Sequence, residues 1–302
     1  MALSKNLRRK WISHVKFTFY LLLGIGLFST FMYFIGTNWE KPNLNPAKPA
    51  ASESARQELA IDSARIAAGA KKLGLTELST LADTWTNDLG GVWAPWPEGA
   101  PAGYKNPGLD LSAKSATVPE LVAELTLFAR TLADKGTAFA PPPAMIDFAS
   151  KVFIQADQLA RMHSLPQALP EVALPQVASL INDAQTVVEL ESTKQILEAH
   201  TALLPSGQEA KRKENRKHIA LLGTCINLAL SAGVDDERST FTPPNTDLSQ
   251  AKQLLFHSLS TLAQKNDTVP EAKSNPKNAG QLSPNAMLAV IIARFAPVFD
   301  AN

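Results

Sequence analysis

From Phe17 to Gly36 the chain reads FTFYLLLGIGLFSTFMYFIG, twenty residues without a charge, and the sixteen residues ahead of it carry Lys5, Arg8, Arg9, Lys10 and Lys16 with no acid. At about 1.5 Å rise per residue, a helix of this length matches a hydrocarbon core of roughly 30 Å. Cationic flanks stay on the cytoplasmic side. The pattern therefore predicts a basic cytoplasmic tail at 1–16, a single transmembrane helix at 17–36, and everything after Gly36 outside the membrane. Phe17, Leu21, Leu22, Leu23, Gly26, Phe31 and Phe34 form the expected lipid-facing anchor, and Arg8, Arg9, Lys10 and Lys16 set its orientation. Trp11 and Tyr20 at one end, with Tyr33 and Trp39 at the other, suit the two interfaces.

A cleaved signal peptide would carry an apolar core of about 7 to 15 residues with a small-x-small site close behind. Here the run is longer and leaves through Gly36-Thr37-Asn38-Trp39-Glu40-Lys41-Pro42 with no Ala-x-Ala nearby. The segment is read as an uncleaved signal-anchor. Gly26 and Thr30 lie four apart, a spacing that lets two such helices approach closely.

The five cations before the span leave 24 of the 29 Lys and Arg residues against all 28 acids, about −4 for the remainder. That is the reverse of a nucleic-acid-binding balance, so no nucleic-acid partner is expected. Cys225 is the only cysteine, which excludes an intramolecular disulfide and a lipid-modified N-terminal motif. Stability must come from apolar burial, and the roughly 245 residues beyond the linker suffice for it. The combination points to a bacterial envelope protein in the cytoplasmic membrane, N-terminus inside and C-terminal domain extracytoplasmic.

Residues 37–55 are rich in Pro and Ala and read as a tether. From 56 to 302 apolar residues fall on helical spacing. Leu59, Ser63, Ile66, Ala70 and Leu73 make one stripe closed by Gly74; Leu78, Leu81, Trp85 and Leu89 make the next, closed by Gly90-Gly91, and the two suggest a helical hairpin. Thr117-Val118-Pro119-Glu120 has a capping-box pattern ahead of Leu121, Leu125, Phe128 and Leu132. Further stripes follow on Met145, Phe148, Val152, Ala156 and Leu159, on Val187, Leu190 and Leu197, and on Leu248, Ala251, Leu255, Ser258 and Leu262. Ser283-Pro284 opens a last helix bearing Leu288, Ile291, Phe295, Val298 and Phe299. The segment from His218 to Ala232 is apolar around most of its circumference, which predicts a place at the bundle's centre. No stretch alternates at period two. The expected fold is all-α: an N-terminal transmembrane helix followed by an extracytoplasmic multi-helix bundle.

Catalytic signals are sparse, and the expectation leans away from an enzyme. A di-iron bundle needs Glu-x-x-His on two helices, whereas Glu198 and His200 are two apart and point to different faces. Glu189 and Glu191 lack a partner motif. No histidine pair has metal-ligand spacing, and neither a metal nor another cofactor is expected. Ser274-x-x-Lys277 formally matches a nucleophile motif, but Pro276 and its polar surroundings argue against a helical start. Cys225 sits in an apolar helix as inert packing.

Two constellations remain. Between Gly90 and Ala116 lies a Gly- and Pro-dense loop. Trp85, Trp93, Trp96, Glu98, Tyr104 and Asn106 could there present aromatic faces and polar groups to a lipid, glycan or peptide ligand, or to a protein partner. The competing role is cover for the bundle. Lys211, Arg212, Lys213, Arg216 and Lys217 form a basic run that could meet an anionic partner, or serve as a solvated helix end. The function expected is binding or scaffolding of other envelope components. The alternative is an envelope enzyme or a lipid or glycan carrier with a pocket beneath Trp93 and Trp96.

Overall fold

The computed structural model describes residues 5–38, 49–96, 98–101, 103–106, 108–238, 247–267 and 282–299, with side chains described for 16–33 of the first helix and up to 265 of the ninth. Two compact units divide the chain, Met1–Ala47 and Lys48–Asn302.

The first unit holds one helix, α1, Lys5–Asn38. It runs well past the apolar stretch toward the N-terminus, so Arg8, Arg9 and Lys10 lie on helical backbone. Within it the window Lys16–Tyr33 has a mean hydropathy of 1.3 and none of it is buried. By length and composition this helix can cross a membrane. The Thr30 hydroxyl donates to the Gly26 carbonyl at 2.7 Å, so the polar group of the Gly-x-x-x-Thr pair is satisfied inside its own helix. The side chains of Arg8, Arg9, Lys10, Trp11 and Phe34, and Trp39 with most of the expected tether, lie outside the described residues.

The second unit consists of helices joined by loops, with no strand among its described residues. Its elements are α2 (Ala51–Lys72), α3 (Thr76–Asp88), α4 (Val118–Lys135), a 3-10 turn (Gly136–Ala138), α5 (Pro142–Met162), α6 (Leu174–Leu180), α7 (Ala184–Leu203), α8 (Glu209–Ser231), α9 (Leu248–Asp267) and α10 (Pro284–Phe299). The first of these starts at Ala51, inside the stretch expected as tether.

The hairpin of α2 and α3 turns at Gly74, whose φ of +76° only glycine adopts without strain. Across it the Ser63 hydroxyl donates to the Ala82 carbonyl at 2.9 Å, and that of Ser79 to the Ala67 carbonyl at 3.0 Å. The pair packs on α4 through α2, and α4 packs on α5. At the start of α4, Glu120 N–H donates to Thr117 Oγ1 at 3.4 Å while Glu120 Oε2 accepts from the Thr117 N–H at 3.1 Å, completing the capping box. Farther along, α7 lies between α8 and α9, and α6 packs on α8. Asp183 caps α7 by accepting from the Thr186 N–H at 2.9 Å.

The centre belongs to α10, not to α8. Eleven of its residues are buried, and it touches α4, α5, α6, α8 and α9. In α8 only Asn215, His218, Leu222, Cys225, Ile226 and Ala229 are buried, while Ala220, Thr224 and Asn227 face solvent. Ile219, Leu221, Leu228 and Leu230, which make α8 read as apolar around its circumference, are only half-buried, whereas the apolar side chains of α10 are nearly all covered.

Candidate functional site

Between α3 and α4 the chain leaves helix and runs along α2 as an arm. Its backbone is held at several points by side chains of that helix. The Arg56 guanidinium donates to the Leu89 carbonyl. Gln57 Oε1 accepts from the Trp93 N–H at 2.8 Å, and Arg65 Nε donates to the Asp110 carbonyl at 2.9 Å. Lys114 forms an ion pair with Asp62 at 3.2 Å. Because these anchors take main-chain atoms, several apolar side chains of the arm point outward. Trp93 is 43% exposed, Leu109 39% and Leu111 37%.

Within the arm, Asn106 clasps Trp96 in both directions. Its Oδ1 accepts from the Trp96 N–H at 3.1 Å and its Nδ2 donates to the Trp96 carbonyl at 2.9 Å. The Trp96 and Tyr104 rings meet at a centroid separation of 5.6 Å. The structure thus brings Trp96, Tyr104 and Asn106 together, leaves Trp93 and Glu98 at the surface, and takes Trp85 away from them. Trp85 is buried, stacked on Phe128 and edge-on to Phe148, so it is core rather than ligand surface.

Neither Trp93 nor Trp96 lines the two concavities described next. A concavity of about 390 Å³ opens where the arm leaves α3, lined by Arg56, Leu89, Gly90, Phe139, Met145 and Phe148 among others. A larger groove of about 610 Å³ lies elsewhere, between α5, α9 and α10. No sequence motif announces it, since it arises from three helical stripes far apart in the chain.

Of the basic run, Lys213, Arg216 and Lys217 line one open concavity of about 560 Å³ together with Glu209 and Ala220, while the other members serve local structure. Arg212 pairs with Glu209 and donates to the carbonyls of Leu204 and Pro205, fastening the end of α7. Lys217 pairs with Glu214 at 3.0 Å. Lys211 is half-buried, and Lys213 and Arg216 project into solvent. Arg212 and Lys217 are therefore engaged in local structure.

A polar node between α7 and α9, with Glu189 and Ser258 buried and His257 exposed, has no sequence signal at all. Glu189 Oε2 accepts from the Ser258 hydroxyl at 2.7 Å and meets His257 Nδ1 at 3.0 Å, while Oε1 accepts from Gln185 Nε2 at 2.9 Å. Burial pushes this carboxyl's pKa up, but the hydrogen bonds of Gln185, His257 and Ser258 outweigh that and hold it below the ordinary 4.5. The carboxylate sits between histidine and serine, and Ser258 is fully buried, so the three do not form a nucleophile relay. Glu191, two residues on, pairs instead with Lys194 at 2.7 Å and Arg238 at 3.6 Å. Among the described residues no group of three or more His, Cys, Asp or Glu is placed to hold a metal. Ser274 and Lys277 lie outside the described residues.

In class, the chain is an all-helical protein with one N-terminal helix long and apolar enough to cross a membrane. No protein-family model matches it, and no curated protein and no solved structure does so either.

Proposed function

We propose that this is a single-pass bacterial envelope protein, N-terminus in the cytoplasm, whose helical domain binds another envelope protein through the arm between α3 and α4. The observation that carries the reading is the arm's construction. Its main chain is fastened to α2 while Trp93, Leu109 and Leu111 remain exposed. Ordering a loop before binding removes an entropic cost of association, and an exposed tryptophan on a fixed backbone is a strong candidate anchor residue. The orientation rests on the five cations ahead of an acid-free span.

The test is mild crosslinking of the full-length protein in native membranes, followed by purification, with Trp93→Ala alongside. A near-stoichiometric protein partner that is lost in the variant supports the reading. An unchanged partner sinks the arm as the contact surface. Orientation is checked separately in intact cells with a membrane-impermeant maleimide on Ser112→Cys. The native chain should give no background, because Cys225 is buried and its thiol is pushed up to about 11 by desolvation.

A second reading, a carrier of a small amphiphile, is favoured by the groove between α5, α9 and α10, whose volume falls in the range of about 300–1,000 Å³ typical of ligand sites.

A further inference from the structure

His218 is buried on α8 where that helix meets α10. Its Nδ1 lies 2.9 Å from the Glu214 carbonyl oxygen, one turn back on α8. Its Nε2 lies 2.8 Å from the carbonyl oxygen of Arg294 on α10. A carbonyl oxygen only accepts, so both contacts need a proton on the ring nitrogen. The neutral imidazole carries one N–H and the imidazolium carries two. With a single proton, one buried nitrogen would set its lone pair against a carbonyl lone pair, which forfeits a hydrogen bond and leaves both groups dry. The ring also stands edge-on to Phe295, with centroids 4.7 Å apart.

The second acceptor belongs to a part of α10 that is short of donors. Pro297 has no N–H, and its ring crowds the Ala293 carbonyl one turn back. His218 brings a donor into this turn from outside the helix. The same turn supplies Ala296 and Phe299 to the groove between α5, α9 and α10, and Phe295 stacks on Phe299 at 6.0 Å.

The charged groups around the ring come from several elements. On α8, Glu214 is held below its ordinary 4.5 by the Lys217 hydrogen bond, against desolvation, and by the charges of His218, Lys217 and Arg161. On α5, Arg161 pairs with Asp157 at 2.6 Å. Arg294 is the one titratable residue of α10, and its guanidinium donates to the Pro170 carbonyl at 2.7 Å, with Glu171 and Asp157 acting on it. The α6 segment LPQVASL carries no titratable side chain. On α7, whose Thr201 meets Asn215 at 3.0 Å, Glu198 and His200 lie at this end. Carboxylates and cations are mixed here, so no single-sign field sets the state of the ring and the two carbonyls decide it.

We propose that His218 is a pH-operated latch between α8 and α10. As an imidazolium it donates to both carbonyls and holds the last turns of α10; after losing a proton it keeps one bond and the contact loosens. The charged ring belongs to the folded state, so the latch is closed in mild acid and opens as pH rises through the histidine range. The device is separate from the arm between α3 and α4, and it stands whatever partner the arm takes.

The experiment uses full-length protein in detergent micelles. Hydrogen exchange of peptides from Pro284–Phe299 is followed at about pH 5.5 and about pH 8, each rate divided by the intrinsic rate at that pH. Opening of α10 should be about tenfold more frequent at the higher pH, the worth of one hydrogen bond to a charged group. His218→Gln, whose amide serves one carbonyl at either pH, should exchange at both like the parent at the higher pH. A second measurement needs no variant. In histidine-labelled protein, the ring assigned by its contact to Phe295 should show two protonated nitrogens by ¹⁵N NMR in mild acid and one at the higher pH. Exchange of α10 that ignores pH, a full pH response retained in His218→Gln, or a ring with one protonated nitrogen in mild acid would each overturn the proposal.

Discussion

Ser63 and Ser79 reach in opposite directions across the α2–α3 hairpin, each giving its hydroxyl to a carbonyl of the other helix. Such a bond contributes about 1 kcal/mol net, so Ser79→Ala should lower the unfolding free energy by about that amount in urea titrations. Glu189 makes a prediction in pH instead. Its carboxyl titrates lower in the folded protein than its ordinary 4.5. The stabilisation is therefore fully present above about pH 4.5 and is lost as pH falls through the folded value. Thermal melts of Glu189→Gln between pH 6 and pH 3 should show a shallower acid limb than the parent. Cys225 should react with a small alkylating agent only as fast as the domain unfolds, because its thiol is buried and stays protonated. These three behaviours belong to single side chains, yet only the Cys225 environment was readable from the sequence. The partners of Ser63, Ser79 and Glu189 on other helices lie 12 to 69 residues away, on faces that only the packed structure brings together.

Helices themselves were far more legible than their neighbours. The stripes on α2, α3, α4, α9 and α10 are buried or half-buried as their spacing implies, because a period of 3.6 leaves a direct trace in the chain. The capping box of α4 was equally plain, and Thr117→Ala should cost about 1 kcal/mol by thermal denaturation. The arm was recognised as irregular, but its attachment to α2 was not, since Gln57 and Arg65 look like ordinary surface residues. Trp85 went wrong for the converse reason. Proximity in sequence to Trp93 and Trp96 suggested a shared surface, whereas helical phase turns it into the core. Gly90 illustrates how the arm depends on one backbone conformation. Its φ is +83°, and a Cβ there would run into the Arg56 guanidinium that holds the Leu89 carbonyl. Gly90→Ala should release the start of the arm, seen as faster proteolysis between Leu89 and Ala116 with the helical core still protected.

At the scale of the whole molecule, stability is concentrated around α10. Leu288 is fully buried there, so Leu288→Ala should destabilise the domain by about 2–5 kcal/mol in denaturant unfolding, while Leu127→Ala on an exposed face should stay within about 0.5 kcal/mol. The sequence pointed to α8 for this central position because Ile219, Leu221, Leu228 and Leu230 spread its apolar residues around the circumference, yet these four are only half-buried. What distinguishes the two helices is how many others pack against each, which one stretch of sequence does not carry. Ser283, next to α10, bonds Asp134 at the far end of α4, a closure across 149 residues. Every helix that α10 packs against precedes it in the chain. During synthesis, then, the faces of α4, α5, α6, α8 and α9 that await it remain wet until Pro284–Phe299 has been made. A ribosome that stops short leaves a product with an open core, the kind of species that proteases and chaperones retain. Closure of this core is thereby timed by the emergence of one helix from the ribosome.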